Sequence, residues 1–153
     1  MPTTGPLSHI DISVGYPDRS IPFYDAFLKA LGYRCWRVSQ PEWSGENPTR
    51  ATWGRVSADG SRFDIEVRPG AAQSTDRRYD RYAPGPHHNA FHAESDAHVD
   101  RVHAAIVAAG REVLDAPKNY GGTAGHGEYY YAAFFADPDG VKLEVCHVPS
   151  ANP

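Results

Sequence analysis

The amino-acid sequence predicts an α+β fold built from two copies of one module, in which a strand, a helix and three further strands follow one another. Two observations predict it. Two helical stretches carry the same apolar stripe in the same register, and each half of the chain begins and ends with a strand of alternating polar and apolar residues. Internal repetition of this kind strongly constrains the architecture of a chain.

Composition limits the class of protein. The chain has 153 residues, of which 41% are hydrophobic and 22% charged, and its formal net charge is −4. These values are typical of one globular domain without a basic surface for nucleic acid. No apolar run approaches the length of a membrane span, the N-terminus lacks a signal-peptide pattern, and two cysteines are too few for a disulfide framework. We expect a cytoplasmic protein with reduced thiols that binds neither nucleic acid nor membranes.

The first module covers about residues 7–68. Its strands are predicted from apolar, β-branched and aromatic runs bounded by turn residues, at Leu7–Val14, Tyr33–Val38, Ala51–Ser57 and Arg62–Arg68. Asp18 is the expected N-cap of the helix between the first two strands, and Gly32 is the expected end of that helix.

The second module covers about residues 87–147 and follows a polar connector over residues 69–86. Its strands are expected at His88–Glu94, Glu112–Leu114, Tyr129–Phe135 and Val141–Val145. Its helix starts at Ser95 or Asp96 and ends at Gly110, and residues 115–128 are expected to form a glycine-rich loop. The helical stripes repeat after 78 residues, as Ile21, Tyr24, Leu28 and Leu31 and then Val99, Val102, Ile106 and Ala109.

The repeat places candidate metal ligands on the polar strand faces, with one histidine and one glutamate in each module. They are His9, Glu66, His88 and Glu144. The separation is 66 − 9 = 57 positions in the first module and 144 − 88 = 56 in the second. Two modules packed edge to edge would bring these side chains together in a concave sheet. Two imidazoles and two carboxylates suit a divalent transition metal.

The identity of the second histidine ligand is open between two neighbours. His87 lies 78 residues after His9, as the helical repeat requires. His88 is preferred because Phe91 is expected to face the helix, and strand alternation then directs His88 to the polar side.

Five stretches resemble the vicinal oxygen chelate superfamily of glyoxalases, bleomycin-resistance proteins and extradiol dioxygenases. They span nearly the whole chain and read SHIDISV, DRSIPFYDAFLKALGY, FDIEV, HHNAFHAES and FFADPDGVKLEV. The resemblance implies two βαβββ modules that form a cupped mixed sheet, with metal ligands on the first and fourth strands of each. In this sequence those strand positions are occupied by the four candidate ligands, His9, Glu66, His88 and Glu144. The resemblance also implies a small-molecule substrate and a homodimer, with modules paired within one chain or between chains.

The ligand pattern most resembles glyoxalase I, a lyase in which a metal polarises a hemithioacetal and a carboxylate transfers a proton. Glu144 is the expected catalytic base and Glu66 the next candidate. The metal (Ni, Zn, Fe, Mn or Co) and the use of a thiol cosubstrate such as glutathione stay open. The alternative is a metal-free protein that binds an antibiotic, as bleomycin-resistance proteins do.

Two further activities of the superfamily match less well. An extradiol dioxygenase would need a histidine that Tyr129–Phe135 lacks, and a thiol transferase could use His9, His88 and Glu144. Pocket-lining roles are predicted for three further residues, His92, Tyr129 and Tyr131. The three tryptophans are interpreted equally well as pocket walls or as core, and are Trp36, Trp43 and Trp53.

Overall fold

The structure is a computed structural model that describes residues 7–39, 50–57, 59–71, 77–123 and 127–149. Its elements follow the order strand, helix, strand, strand, strand, and then repeat that order once. The predicted α+β fold of two βαβββ modules is therefore confirmed. The chain divides into two compact units between Arg77 and Arg78, inside the predicted connector.

The first unit contains β1 (His9–Val14), α1 (Pro17–Ala30), β2 (Arg34–Ser39), β3 (Arg50–Val56) and β4 (Arg62–Pro69). Its sheet has the strand order β1-β4-β3-β2, in which β1 runs parallel to β4 and the other pairs are antiparallel. The fully buried face of α1 packs against β2, β3 and β4, and contributes Phe23, Tyr24, Phe27 and Leu28. Each such side chain stabilises the fold by about 1.5–3 kcal/mol through its removal from water.

The second unit contains β5 (Asn89–His92), α2 (Asp96–Ala108), β6 (Val113–Asn119), β7 (Tyr131–Ala136) and β8 (Lys142–His147). Its strand order, β5-β8-β7-β6, matches that of the first unit, with β5 parallel to β8. The predicted stripe residues Val99, Val102 and Ile106 are fully buried, and α2 packs on β6, β7 and β8. Neither described helix is long and apolar enough to cross a membrane.

The helix boundaries follow from local chemistry. Ser95 caps α2, because its side chain accepts a hydrogen bond from the His98 N–H at 3.2 Å. The predicted Asp18 cap of α1 is wrong, because α1 begins at Pro17 with Tyr16 as a cap that makes no side-chain bond. Proline has a fixed φ that suits the first helical position, and Asp18 then lies in the first turn, where its charge favours the helix dipole.

The sixth strand is longer than predicted. We expected a strand at Glu112–Leu114 followed by a loop, but β6 continues to Asn119 and pairs there with Tyr131 of β7. Its register shifts twice between Val113 and Lys118, so the strand bends around residues that look like a loop in the sequence. Pro117 is tolerated because β6 is an edge strand, where a backbone N–H is not needed for a second neighbour.

The turn between β7 and β8 is held by one buried carboxylate. Asp137 is 2% exposed, and its Oδ1 accepts hydrogen bonds from the backbone N–H groups of Asp139 at 2.9 Å and Val141 at 2.7 Å. Gly140 has a φ of 90°, in the left-handed region that glycine adopts without strain. The turn fixes where β8 begins and hence which of its side chains face each side of the sheet.

Replacing Asp137 with alanine is expected to lower the free energy of unfolding by about 1–3 kcal/mol, because two backbone N–H groups lose their acceptor. Chemical denaturation followed by circular dichroism measures the loss. Asp137→Asn keeps an acceptor oxygen at the same position and should lose less. Equal losses in the two variants would contradict this account of the turn.

Candidate functional site

The candidate site of the second unit is centred on Glu144 in β8. This glutamate is 2% exposed, so it is not the surface carboxylate that its position on a polar strand face would allow. Its Oε2 lies 3.0 Å from Nε2 of His88, and its Oε1 accepts a hydrogen bond from the Tyr130 hydroxyl at 2.5 Å. A buried carboxylate with an imidazole and a phenol on separate oxygens is suited to binding a cation or moving a proton.

Strand pairing explains why His88 reaches this carboxylate. Ala90 of β5 pairs with Glu144 in the parallel ladder, and His88 lies two residues before Ala90, on the same side of the sheet. The methyl side chain of Ala90 leaves room between them. His87 instead contacts the His88 ring, with the two Nδ1 atoms 2.7 Å apart. Of the two histidines, His88 is therefore the one that contacts Glu144, as strand alternation predicts.

The corresponding residues of the first unit share this register but make different contacts. His9 lies two residues before Asp11, which pairs with Glu66 in the β1–β4 ladder. His9 is exposed, and its Nδ1 lies 2.9 Å from the Ser8 hydroxyl. The predicted repeat of ligand positions is therefore present in the backbone of both units.

Glu66 is held by cross-strand neighbours on β3. Its Oε1 lies 3.3 Å from Nε of Arg50, and its Oε2 accepts a hydrogen bond from the Thr52 hydroxyl at 3.2 Å. The two partners of Glu144 are instead the His88 imidazole and the Tyr130 phenol. The first unit therefore holds its glutamate in an ion pair, whereas the second presents its glutamate to a group that can exchange protons.

Comparison with known proteins identifies the family. Residues 7–145 match the family model of the Glyoxalase/Bleomycin resistance protein/Dioxygenase superfamily. The chain belongs to this superfamily. It is 31% identical over 140 residues to the uncharacterized protein YqjT of Bacillus subtilis, an alignment that covers 91% of this chain and 96% of that protein.

Solved structures of the superfamily share the fold. A proposed glyoxalase from Bacillus halodurans superimposes with a TM-score of 0.71 at 26% identity, over 95% of this chain and 97% of that one. A glyoxalase/bleomycin resistance protein from Albidiferax ferrireducens T118 superimposes with a TM-score of 0.66 at 24% identity, over 93% of this chain and 98% of that one. The sequence-based resemblance to the superfamily is therefore confirmed, and it covers nearly the full length of these chains.

Members of this superfamily with metal chemistry need a set of donors, and the second unit contributes a suitable pair. Two donors on one cation, each about 2.1 Å from it, lie about 3.0–3.4 Å apart. The 3.0 Å between His88 Nε2 and Glu144 Oε2 agrees with that separation. In the described parts of the chain, no group of three or more His, Cys, Asp or Glu side chains converges. The pair accordingly fits half of a metal site, and Glu66 would have to release Arg50 to serve as a ligand.

An apolar wall lies on the same sheet face as Glu144. Phe134 pairs with Glu144 across the β7–β8 ladder, and the wall consists of Leu114, Tyr120, Tyr130, Ala132, Phe134 and Cys146. Burial raises the pKa of the Cys146 thiol, which stays protonated and therefore weakly nucleophilic at neutral pH. The Tyr120 hydroxyl of this wall is buried and has no hydrogen-bond partner among the described residues.

The tyrosines around β7 divide between the two faces of the sheet. Tyr129 donates a hydrogen bond to Asp96, and Tyr131 donates one to Asp100 at 2.9 Å. Both carboxylates are on α2, on the face opposite Glu144. Tyr130 lies between these tyrosines and reaches the glutamate, a contact that no pattern in the sequence predicts. Its burial, followed by its bonds to Cys146 and Glu144, raises the pKa of Tyr130, so the phenol remains a proton donor.

The third predicted pocket residue, His92, keeps the side of the sheet that alternation assigns to it. It pairs with Cys146 in the β5–β8 ladder and is exposed. Its place in a substrate pocket stays a prediction. Of the tryptophans, Trp53 is in the core of the first unit, Trp36 is exposed, and Trp43 lies outside the described residues.

Proposed function

We propose that this superfamily member is a divalent-metal-dependent enzyme of the glyoxalase I type, which isomerises the hemithioacetal of a 2-oxoaldehyde and a thiol. The observation that carries the proposal is the buried Glu144, held between His88 and Tyr130. A carboxylate buried beside an imidazole and a phenol is a costly arrangement for stability alone. Membership of a superfamily that contains glyoxalases supports the choice of reaction.

The proposed metal ligands are one histidine and one glutamate from each module, and are His9, Glu66, His88 and Glu144. When bound, a divalent metal supplies Lewis-acid polarisation of the two vicinal oxygens of the substrate. His88 and Glu144 present their donor atoms together already. We further propose a small-molecule substrate and a homodimeric assembly, with a thiol such as glutathione as the cosubstrate.

Glu144 is the proposed base, and Glu66 the second candidate. The glutamate takes the proton from the carbon that carries sulfur and returns it to the neighbouring carbonyl carbon. The hydroxyl proton of the first carbon passes to the oxygen of the second, so that a hydroxy thioester forms with no net oxidation. Tyr130 donates to Oε1 and orients the carboxylate, while Oε2 is the oxygen that faces His88. A carboxylate that both binds a metal and moves a proton must change partners during turnover, and two separately bonded oxygens allow that.

Metal analysis of protein purified without chelator tests the proposal. We expect stoichiometric divalent metal in the native chain and loss of most of it in His88→Ala and His9→Ala. His103→Ala is the matched control, because His103 is on α2 and its ring packs against Phe135 of β7, away from the proposed ligands. A native chain that holds no metal, and that takes up none when Ni, Zn, Mn or Fe(II) is added, would overturn the metal-dependent proposal. Turnover of the hemithioacetal of methylglyoxal and glutathione then tests the reaction itself.

A metal-free binding protein is the second candidate, and one contact favours it. Arg50 already neutralises Glu66 in an ion pair, as expected of a glutamate that does not bind a cation. Beside the aromatic wall of the second unit, such a protein would bind an apolar small molecule without turnover. The same metal analysis separates the two candidates, since only the enzyme requires metal.

A further inference from the structure

A β-bulge on the edge strand of the first unit displays a tryptophan. Cys35 of β2 pairs with Trp53 of β3, and Arg37 pairs with Thr52, which leaves Trp36 between them without a partner across the ladder. Bulges commonly re-aim a side chain next to a functional site. Trp36 is 51% exposed, an unusual position for so large an apolar side chain.

The indole of Trp36 lies directly over a glycine. A Cβ atom built on Gly54 would lie 1.9 Å from Nε1 of Trp36 and 2.2 Å from Oδ1 of Asp64. The indole and this carboxylate therefore occupy the space that any side chain at position 54 would need. Glycine inside a strand costs stability and often marks a close approach by another group. Here that group is the exposed indole.

A surface cavity of about 330 Å³ opens beside this indole. Its described lining residues are Gly32, Arg34, Trp36, Gly54, Arg55 and Val56. Two glycines leave part of the wall without side chains, and the exposed Val56 adds apolar surface. The volume is at the lower end of the range of small-molecule sites.

Arginines lie in and beside the cavity. The Arg62 guanidinium lies 4.9 Å from the centre of the Trp36 ring and forms an ion pair with Asp64 at 2.8 Å. Arg55, which lines the cavity, donates to the Leu31 carbonyl at 2.9 Å. Within the described residues no carboxylate pairs with the exposed Arg34. Three arginines and one aspartate thus surround a flat aromatic surface.

We propose that this cavity is a binding site for a flat anion, an aromatic or conjugated carboxylate whose plane stacks on Trp36 and whose charge is bound by Arg34. Stacking on an indole rewards planarity, and guanidinium groups bind carboxylates through paired hydrogen bonds. The proposal goes beyond the metal-dependent reaction, because no lining residue is a proposed ligand or base. It also gives a role to a tryptophan that the sequence left undecided between pocket and core.

Isothermal titration with 2-naphthoate tests the proposal, with neutral 2-naphthamide and with acetate, which has no aromatic ring, as comparison probes. We expect naphthoate to bind, and both comparison probes to bind at least about tenfold more weakly, since each lacks one of the two interactions. Arg34→Gln and Trp36→Ala should each weaken naphthoate binding by about tenfold. Arg19→Gln removes the same charge from an exposed position on α1 and should leave the affinity unchanged.

A second variant tests the close approach at Gly54. Gly54→Ala places a methyl group where the indole lies, and it should displace the exposed Trp36 and weaken naphthoate binding while circular dichroism stays native. Equal affinity for naphthoate and naphthamide, or naphthoate affinity that is unchanged in Arg34→Gln and Trp36→Ala, would overturn the site. Metal content should be native in every cavity variant, so a failure here is distinguishable from a failure of the metal-dependent function.

Discussion

Replacing Glu144 with alanine is expected to lower the free energy of unfolding by about 2–4 kcal/mol and to weaken metal binding by at least about 100-fold. The change leaves the Tyr130 hydroxyl and the His88 imidazole without their shared acceptor and opens a void at a position that is 2% exposed. Urea denaturation measures the stability change, and titration of apoprotein with Zn²⁺ measures the affinity. Hemithioacetal turnover should also disappear in the Glu144→Ala variant.

Glu144→Gln separates the two effects. Glutamine keeps the volume and one acceptor oxygen but loses the charge and the basic group, so it should retain most of the stability and lose the activity. Glu128→Gln is the control, because Glu128 is an exposed carboxylate of the same unit. Full hemithioacetal turnover by Glu144→Gln would remove Glu144 from the role of base and leave Glu66 as the remaining candidate.

Trp53→Ala is expected to lower the free energy of unfolding of the first unit by about 3–5 kcal/mol. Trp53 is 1% exposed and is among the largest fully buried side chains of the described chain. Its indole N–H also donates to Oδ1 of Asp25 on α1 at 2.9 Å, which ties the helix to the sheet. Thermal denaturation monitored by circular dichroism detects the loss.

Trp36→Ala is the matched comparison on the neighbouring strand. Trp36 is half exposed, so its removal should change the free energy of unfolding by no more than about 0.5 kcal/mol. The loss of unfolding free energy in Trp53→Phe should lie between those of Trp53→Ala and Trp36→Ala, because phenylalanine keeps most of the packing and loses the bond to Asp25. Similar losses for Trp53→Ala and Trp36→Ala would show that burial is not what distinguishes these two tryptophans.

The architecture could be predicted because it depends on periodicity. The helical stripe that repeats after 78 residues marks both modules, and each helix ends at a glycine in the left-handed region, Gly32 with φ 83° and Gly110 with φ 64°. Element ends were less predictable where one residue decides them. Pro17 starts α1 ahead of Asp18, and pairing with β7 extends β6 through residues with loop-like chemistry.

The contacts of the candidate site could be predicted only in part. Strand alternation favours His88 over His87, and the structure places His88 on Glu144. The three consecutive tyrosines offer no such signal, because the residue that faces the glutamate depends on where β7 begins. Likewise, the ion pair of Glu66 with Arg50 depends on the register between β3 and β4, which no local pattern in either strand specifies.

The shared ladder register of the two units has a consequence for how such a protein can diversify. In each unit a histidine lies two residues before the ladder partner of a glutamate, yet that partner is Asp11 in one unit and Ala90 in the other. Side chains next to the glutamate can therefore be exchanged in one copy without disturbing the backbone of either. A duplicated module of this kind can retain a fold through one half of its sequence while selection explores new reactions through the other.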